Sequence, residues 1–214
     1  MRWLVLLSIC AALAGCFTAG KRGEKELAVY DLGLPPLRLI EENRKSPMAI
    51  EVRAPLWFDA LGIEYRLAYA DASRLREYGR ARWAGPPAQL IQQRLIQQLG
   101  FSMAGQGASN CVLRVEITEF SQVFISPENS KGVLQGRAQW LDRSRRQVAE
   151  RTLNIEKSAP TPDSRGGVSA LQATTEQLAI DLLAWEKQLL TVGKTGVCPC
   201  LLYTSPSPRD GLLS

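Results

Sequence analysis

The feature that most constrains this chain is a two-residue alternation of apolar and polar side chains that returns six times. Successive side chains of a strand point to opposite faces, so each such stretch reads as a strand with one buried side. Leu27 to Leu34 carries Tyr30, Leu32 and Leu34 in alternation until Pro35-Pro36 stops it. Met48, Ile50, Val52 and Ala54 alternate with Glu51 and Arg53 up to Pro55. Ile63, Tyr65, Leu67 and Tyr69 alternate with Glu64, Arg66 and Ala68, and Asp71-Ala72-Ser73 then reads as a turn. Leu113, Val115 and Ile117 open a three-strand meander whose extended pattern runs on to Ile125. A loop at Ser126 to Gly132 leads to Leu134, Gly136, Ala138 and Trp140 on one face. A turn at Asp142 to Arg146 leads to a last strand over Val148 to Glu156. The small side chains of Gly136 and Ala138 leave room for a helix on that face.

Two stretches have helical spacing instead. Pro87 suits a first helical turn and Gly100 a stop, and Ala88, Ile91, Leu95 and Leu99 share one face. Gln89, Gln93, Arg94 and Gln97 fall elsewhere. Past a loop at Pro160-Thr161-Pro162 and Gly166-Gly167, Ser169 and Gln172 fit a capping box that opens a helix to about Leu190. Its stripe of Leu171, Thr175, Leu178, Leu182, Trp185 and Leu189 suits packing on the domain's own sheet, or a seam for a partner helix. The expectation is an α+β single domain at 27–190, a mostly antiparallel sheet of about six strands with two amphipathic helices packed on one face.

The ends read differently. Met1-Arg2, an apolar stretch from Trp3, and Leu13-Ala14-Gly15-Cys16 have the layout of a secretory signal. The apolar stretch is shorter than the roughly 20 residues that span a bilayer. A cysteine directly after Ala14-Gly15 matches the bacterial lipoprotein signal: residues 1–15 are removed, and Cys16 is acylated and becomes the N-terminus. Residues 16–26 then form the lipidated N-terminus and a short polar tether, of which Phe17 to Glu26 reaches at most about 35 Å. Residues 191–214 form a tail. Cys200 to Asp210 can be encoded by the transposase adapter of sequencing libraries, so 200–214 reads as adapter read-through. Cys198-Pro199-Cys200 is therefore not taken as a redox or metal motif. That leaves Cys111 as the one cysteine inside the domain, expected as a small buried thiol.

The chain has no histidine, which removes the commonest general base and metal ligand. Gly167-Val168-Ser169-Ala170-Leu171 nearly matches a nucleophile elbow, but Leu171 stands where a glycine is needed. Asp59 and Glu64 could serve as a carboxylate pair, although their spacing equally suits solvated acids. There is no phosphate-binding loop or metal cluster, so no catalytic residue, metal or cofactor is expected. The net charge of +5 is mild. No acid falls between Glu77 and Glu116, where Arg80, Arg82, Arg94 and Arg114 occur; this is either an anion-recognising face or a solvated basic one. Trp57-Phe58 after Pro55, and Trp83 before Gly85-Pro86-Pro87, are either exposed contact aromatics or plugs at the core's edge.

Several of these stretches occur in a familiar order. Tyr30-Asp31-Leu32-Gly33, Ile50-Glu51-Val52 with Pro55-Leu56, Ile63-Glu64-Tyr65-Arg66, Tyr78, Arg82 to Pro87, Leu113 to Phe120 and the closing Ala170 to Trp185 helix resemble the ABC-type transport auxiliary lipoproteins, the family of the paraquat-inducible protein C-like lipoproteins. The resemblance spans about Leu27 to Leu190. It implies a non-enzymatic partner of an envelope lipid-transport system, in which an inner-membrane ABC transporter works with a substrate-binding protein of the mammalian-cell-entry type. The lipoprotein would dock that machinery at the outer membrane, anchored through Cys16, and relatives form rings. Phe17 after the lipid cysteine is similar to lipoproteins sent to the outer membrane. Trp57, Phe58, Arg82 and Trp83 are the expected partner surface, and nucleic acid is not expected. An outer-membrane assembly or structural lipoprotein, or an envelope enzyme, is the alternative.

Overall fold

The computed structural model describes residues 26–40, 48–105, 109 and 111–191. The signal, Cys16, most of the tether, Cys198 and the adapter-like tail lie outside these residues. The described chain folds as one α+β unit around a mixed sheet of eight strands.

The meander at the centre is the part that alternation specifies best. Strand β6 (Cys111–Phe124) pairs antiparallel with β7 (Ser130–Leu141), and β7 with β8 (Gln147–Ser158). The loop expected at Ser126 to Gly132 is shorter than its composition suggests, because Ser130 already pairs with Phe124. The opposite edge of β6 is shared by two shorter strands. β2 (Met48–Arg53) lies parallel to Cys111–Glu116, and β3 (Gly62–Leu67) parallel to Gln122–Phe124. They follow each other along one edge, separated by a single 3-10 turn at Leu56–Phe58. Beyond β3 come β4 (Ala72–Trp83) and then β1 (Ala28–Tyr30), which is parallel to the end of β4; beyond β2 comes β5 (Ser102–Met103).

Two corrections follow. The sheet is mixed, since alternation fixes which face a residue occupies but not the direction of its neighbour. Parallel neighbours need a long crossover, and the helix Pro87–Leu99 lies within the connection that makes β2 and β3 parallel to β6. The expected turn at Asp71 to Ser73 is one turn of helix, α1 (Ala68–Asp71), that reverses the chain into β4. That strand's alternation is masked by exposed Arg74, Glu77 and Arg80.

Helix α2 (Pro87–Leu99) has the expected bounds, with Pro87 in its first turn and Gly100 left-handed at φ +64° after its end. Helix α3 (Ser164–Thr191) starts five residues before the expected capping box. Its cap is Asp163, whose carboxylate Oδ1 accepts the Gly166 N–H at 2.8 Å, while Ser169 is exposed in the second turn. The Gly166-Gly167 pair belongs to the helix because a Cβ on Gly167 would meet the Gln122 side chain, and one on Gly166 would meet Thr161. Gly132 permits the same close approach further along: a Cβ there would lie 2.7 Å from the Ala170 carbonyl carbon.

Both helices cover one face of the sheet. Leu171, Thr175, Leu178, Leu182 and Trp185 are buried and Leu189 packs against the same core, so the α3 stripe serves the protein's own sheet. Ala88, Ile91, Leu95 and Leu99 are buried from α2, as is Arg94, which was expected on the polar side. Cys111 is buried, but it is disulfide-bonded rather than a thiol.

Candidate docking surface

The turn between β2 and β3 divides its side chains sharply. The Phe58 N–H donates to the Pro55 carbonyl at 2.8 Å, closing one 3-10 turn. Phe58 is thereby driven into the core, while Leu56 is 92% and Trp57 72% exposed. The fixed φ of Pro55 and the buried Phe58 hold two large apolar side chains out in water, in the gap between two strands. Two adjacent large apolar side chains held in water form a candidate contact surface.

Of the four residues expected on a partner surface, the structure exposes Trp57 and Arg82 and buries Phe58 and Trp83. Arg82 and Trp83 are consecutive on β4 and so point to opposite faces. The Trp83 ring packs 5.8 Å from Phe120, and the Trp83 backbone N–H donates to the Leu61 carbonyl at 2.7 Å. Trp83 therefore ties the chain after the 3-10 turn to β4 from within. Leu56 is more exposed than Trp57, yet alternation and aromatic content gave no reason to single it out.

A second exposed apolar stretch crosses over α2. The carbonyls of Leu32, Gly33 and Leu34 all accept hydrogen bonds from the buried Arg94 guanidinium, at 2.7 Å for Gly33 and 3.3 Å for Leu34. The Leu39 N–H donates to the Gln98 carbonyl at 3.0 Å, and Gln172 Nε2 donates to the Asp31 carbonyl at 3.1 Å. The backbone of this strap is thus held at both ends and in the middle, while Leu34 and Leu37 are 93% and 91% exposed. A shallow cleft of about 150 Å³ lies against it, lined in part by Asp31, Pro35, Gln93 and Arg94.

The helix-free face of the sheet is charged but largely self-neutralised. Glu51 on β2 pairs with Arg114, Arg53 and Arg145, Glu116 with Arg137, and Glu119 with Arg66 at 3.0 Å. Of the arginines in the acid-free stretch, Arg94 and Arg114 are thus committed inside the fold, leaving Arg80 and Arg82 exposed. Glu64 is the exception on this face. It stands opposite Glu77 across the β3–β4 ladder, and its buried Oε2 has no hydrogen-bond partner. Burial, with the charges of Glu119 and Glu77, pushes its carboxyl up to about 7 against the pull of Arg66. Asp59, its expected companion, has its own unpartnered Oδ1 and is not among the groups that shift Glu64. Among the described residues, no group of three or more His, Cys, Asp or Glu is arranged to hold a metal.

Comparison with known proteins agrees with this fold. Residues 42–182 match the model of the ABC-type transport auxiliary lipoprotein component, and the chain belongs to that family. Among solved structures, a Xanthomonas campestris protein assigned to a domain family of unknown function superposes with a TM-score of 0.63 at 17% identity, covering 74% of this chain and 94% of its own. A second structure, of an uncharacterized protein, gives a TM-score of 0.58 at 17% identity, covering 74% and 97%. These likenesses concern the fold. A search of curated proteins finds no match. The family is thus an auxiliary component of ABC-type transport and one of lipoproteins; among the described residues, no helix is long and apolar enough to cross a membrane.

Proposed function

We propose that this protein is a non-enzymatic docking lipoprotein of an envelope lipid-transport system, anchored at the outer membrane through acylated Cys16. Its protein-facing contact is the Leu56-Trp57 turn with the exposed Arg82, and its partner is the mammalian-cell-entry-type substrate-binding protein that works with the ABC transporter. The observation that carries this reading is the 3-10 turn itself, which spends a buried Phe58 to present Leu56 and Trp57 to solvent. A Trp beside an Arg-bearing strand is the kind of anchor that dominates protein interfaces. Phe58 and Trp83 support that surface from the core and do not touch the partner.

The test is copurification from envelope membranes. Leu56→Ala, Trp57→Ala and Arg82→Ala are expected to reduce recovery of the mammalian-cell-entry-type protein while the lipoprotein stays folded and membrane-bound. Unchanged recovery in the triple variant sinks the assignment of this surface. Copurification with an outer-membrane barrel in place of transport components would instead favour a structural or assembly lipoprotein.

A further inference from the structure

We infer that the strap over α2 is a membrane-contact element, in which Leu34 and Leu37 insert into the interfacial layer of the bilayer that holds Cys16. The inference rests on the anchoring of Cys16 proposed above and adds which side of the domain meets that membrane.

Three properties of residues 31–40 fit a lipid surface. The first is the exposure of Leu34 and Leu37, both above 90%, on a backbone held by Arg94 at Leu34 and by Gln98 at Leu39. Arg94 fixes the carbonyls of Leu32, Gly33 and Leu34 from below, and the Asp31 carboxylate accepts the Gly33 N–H at 2.7 Å, which sets Gly33 at φ +72°. Two leucines at the ends of a Leu-Pro-Pro-Leu segment therefore start outward, between backbone groups that are already bonded.

The second property is what the backbone exposes with them. Unsatisfied N–H and C=O groups cost several kcal/mol each in hydrocarbon, which keeps most loops out of membranes. Here Pro35 and Pro36 have no N–H, and the carbonyls just before them belong to Arg94. The strap therefore brings two fewer donors to a lipid surface than an ordinary loop, and its Gly33 and Leu34 carbonyls are already bonded.

The third is charge and position. Between Asp31 and Glu41-Glu42, which flank it, the segment Leu32 to Ile40 has no acidic residue and one base, Arg38. A nearly uncharged apolar segment of this kind suits insertion at the interfacial layer of a bilayer. The strap also follows the anchor closely. Leu27 is eleven residues after Cys16, so an extended tether limits the first strand to about 35 to 40 Å from the lipid. An acyl anchor and two inserted leucines would together fix the tilt of the domain, which the anchor alone leaves free.

Photocrosslinking in vesicles tests this with the protein alone. The acylated full chain, carrying a benzophenone amino acid in place of Leu34, Leu37 or Ile125, would be reconstituted into phosphatidylethanolamine and phosphatidylglycerol vesicles and irradiated. Ile125 is 59% exposed at the β6–β7 turn and serves as the solvent-facing control. Lipid adducts at 34 and 37 severalfold above those at 125 are the expected result. Acylated protein giving equal adducts at all three positions, or none at 34 and 37, overturns the strap's role and leaves the anchor standing. Adducts to a second copy of the chain overturn it in favour of contact between copies. Mass spectrometry showing no acyl chains on Cys16 removes the anchor and the inference together.

Discussion

Strands β2 and β3 run in the same direction along the same edge of β6, and each buries an isoleucine under the helices, Ile50 and Ile63. Each also carries a glutamate on the opposite face, in the residue after that isoleucine. The two glutamates have opposite fates. Glu51 stands directly across from Arg114 and is ringed by Arg53 and Arg145. Burial alone would raise its carboxyl, but the hydrogen bond and charge of Arg114, with the other two arginines, hold it below the usual range. Glu64 stands across from Glu77 with Glu119 nearby, and its carboxyl rises. The same backbone position thus stabilises one end of the edge and loads the other with unmatched acid. The β3–β4 quarter also holds the unpartnered Arg76 Nε and follows the unpartnered Asp59 Oδ1. Tolerance of unsatisfied polar groups beside an exposed apolar turn is what a surface kept for binding, rather than for stability, looks like.

If the difference lies only on the charged face, the core face must treat both strands alike. Ile50→Ala and Ile63→Ala should each cost about 2–5 kcal/mol, the range for emptying a fully buried aliphatic site, read as urea-unfolding midpoints. A loss at Ile63 well below that at Ile50 would show that the β3 quarter is loosely packed throughout, and the comparison would fail. The next largest effect separates the strands. Glu51→Gln removes the charge that Arg114 faces, and a hydrogen bond to a charged group contributes about 1.5–3 kcal/mol. The loss should be present at neutral pH and shrink in acid. Glu51 is depressed in the folded state, so its contribution exists above its unfolded value and disappears as pH falls.

The sequence made the core faces of these strands plain, because period-two alternation is a local property of residues 48–54 and 63–69. The helices were equally plain from Ile91, Leu95 and Leu99, and from Leu171, Leu178 and Leu182. Relations between distant residues were not. Nothing near Arg94 reveals that three carbonyls sixty residues earlier will take its guanidinium, so it read as a polar-face residue. Nothing in Gly166-Gly167 shows that Gln122 will crowd against Gly167, or Thr161 against Gly166, so they read as loop. Glu64 offered a carboxylate candidate, but its partners Glu77 and Glu119 come together only through the ladders on both sides of β3. For the surface, Trp57 and Trp83 were indistinguishable on the page; a 3-10 turn sends one outward and strand parity sends the other inward.

Glu64→Gln reverses the sign of the Glu51 effect. The unfolded chain releases this proton near 4.5, whereas the folded chain keeps it to about 7. Between those values unfolding releases a proton, so the native state loses stability as pH rises through the window. The glutamine variant should match the parent at pH 4 and exceed it at pH 8. The gain is held to about 1 kcal/mol by the solvent that reaches this half-exposed side chain. Thermal unfolding at the two pH values reads it directly, and a variant less stable at pH 8 would show that the ionised carboxylate has a partner.

The smallest effect on stability belongs to the turn that joins the two strands, and its smallness is the point. Trp57 is largely exposed, and its neighbour Phe58 already supplies the buried ring that holds the turn. Trp57→Ala should therefore leave the unfolding midpoint within about 0.5 kcal/mol of the parent, as substitutions outside packed or bonded sites do. On that outcome the fold makes no use of the Trp57 side chain, which leaves it available for the contact proposed above. If the variant instead unfolds earlier by 2 kcal/mol or more, a range typical of buried side chains, then Trp57 packs on the protein's own surface. The turn would then be a structural joint, and the contrast between β2 and β3 would lose its link to docking.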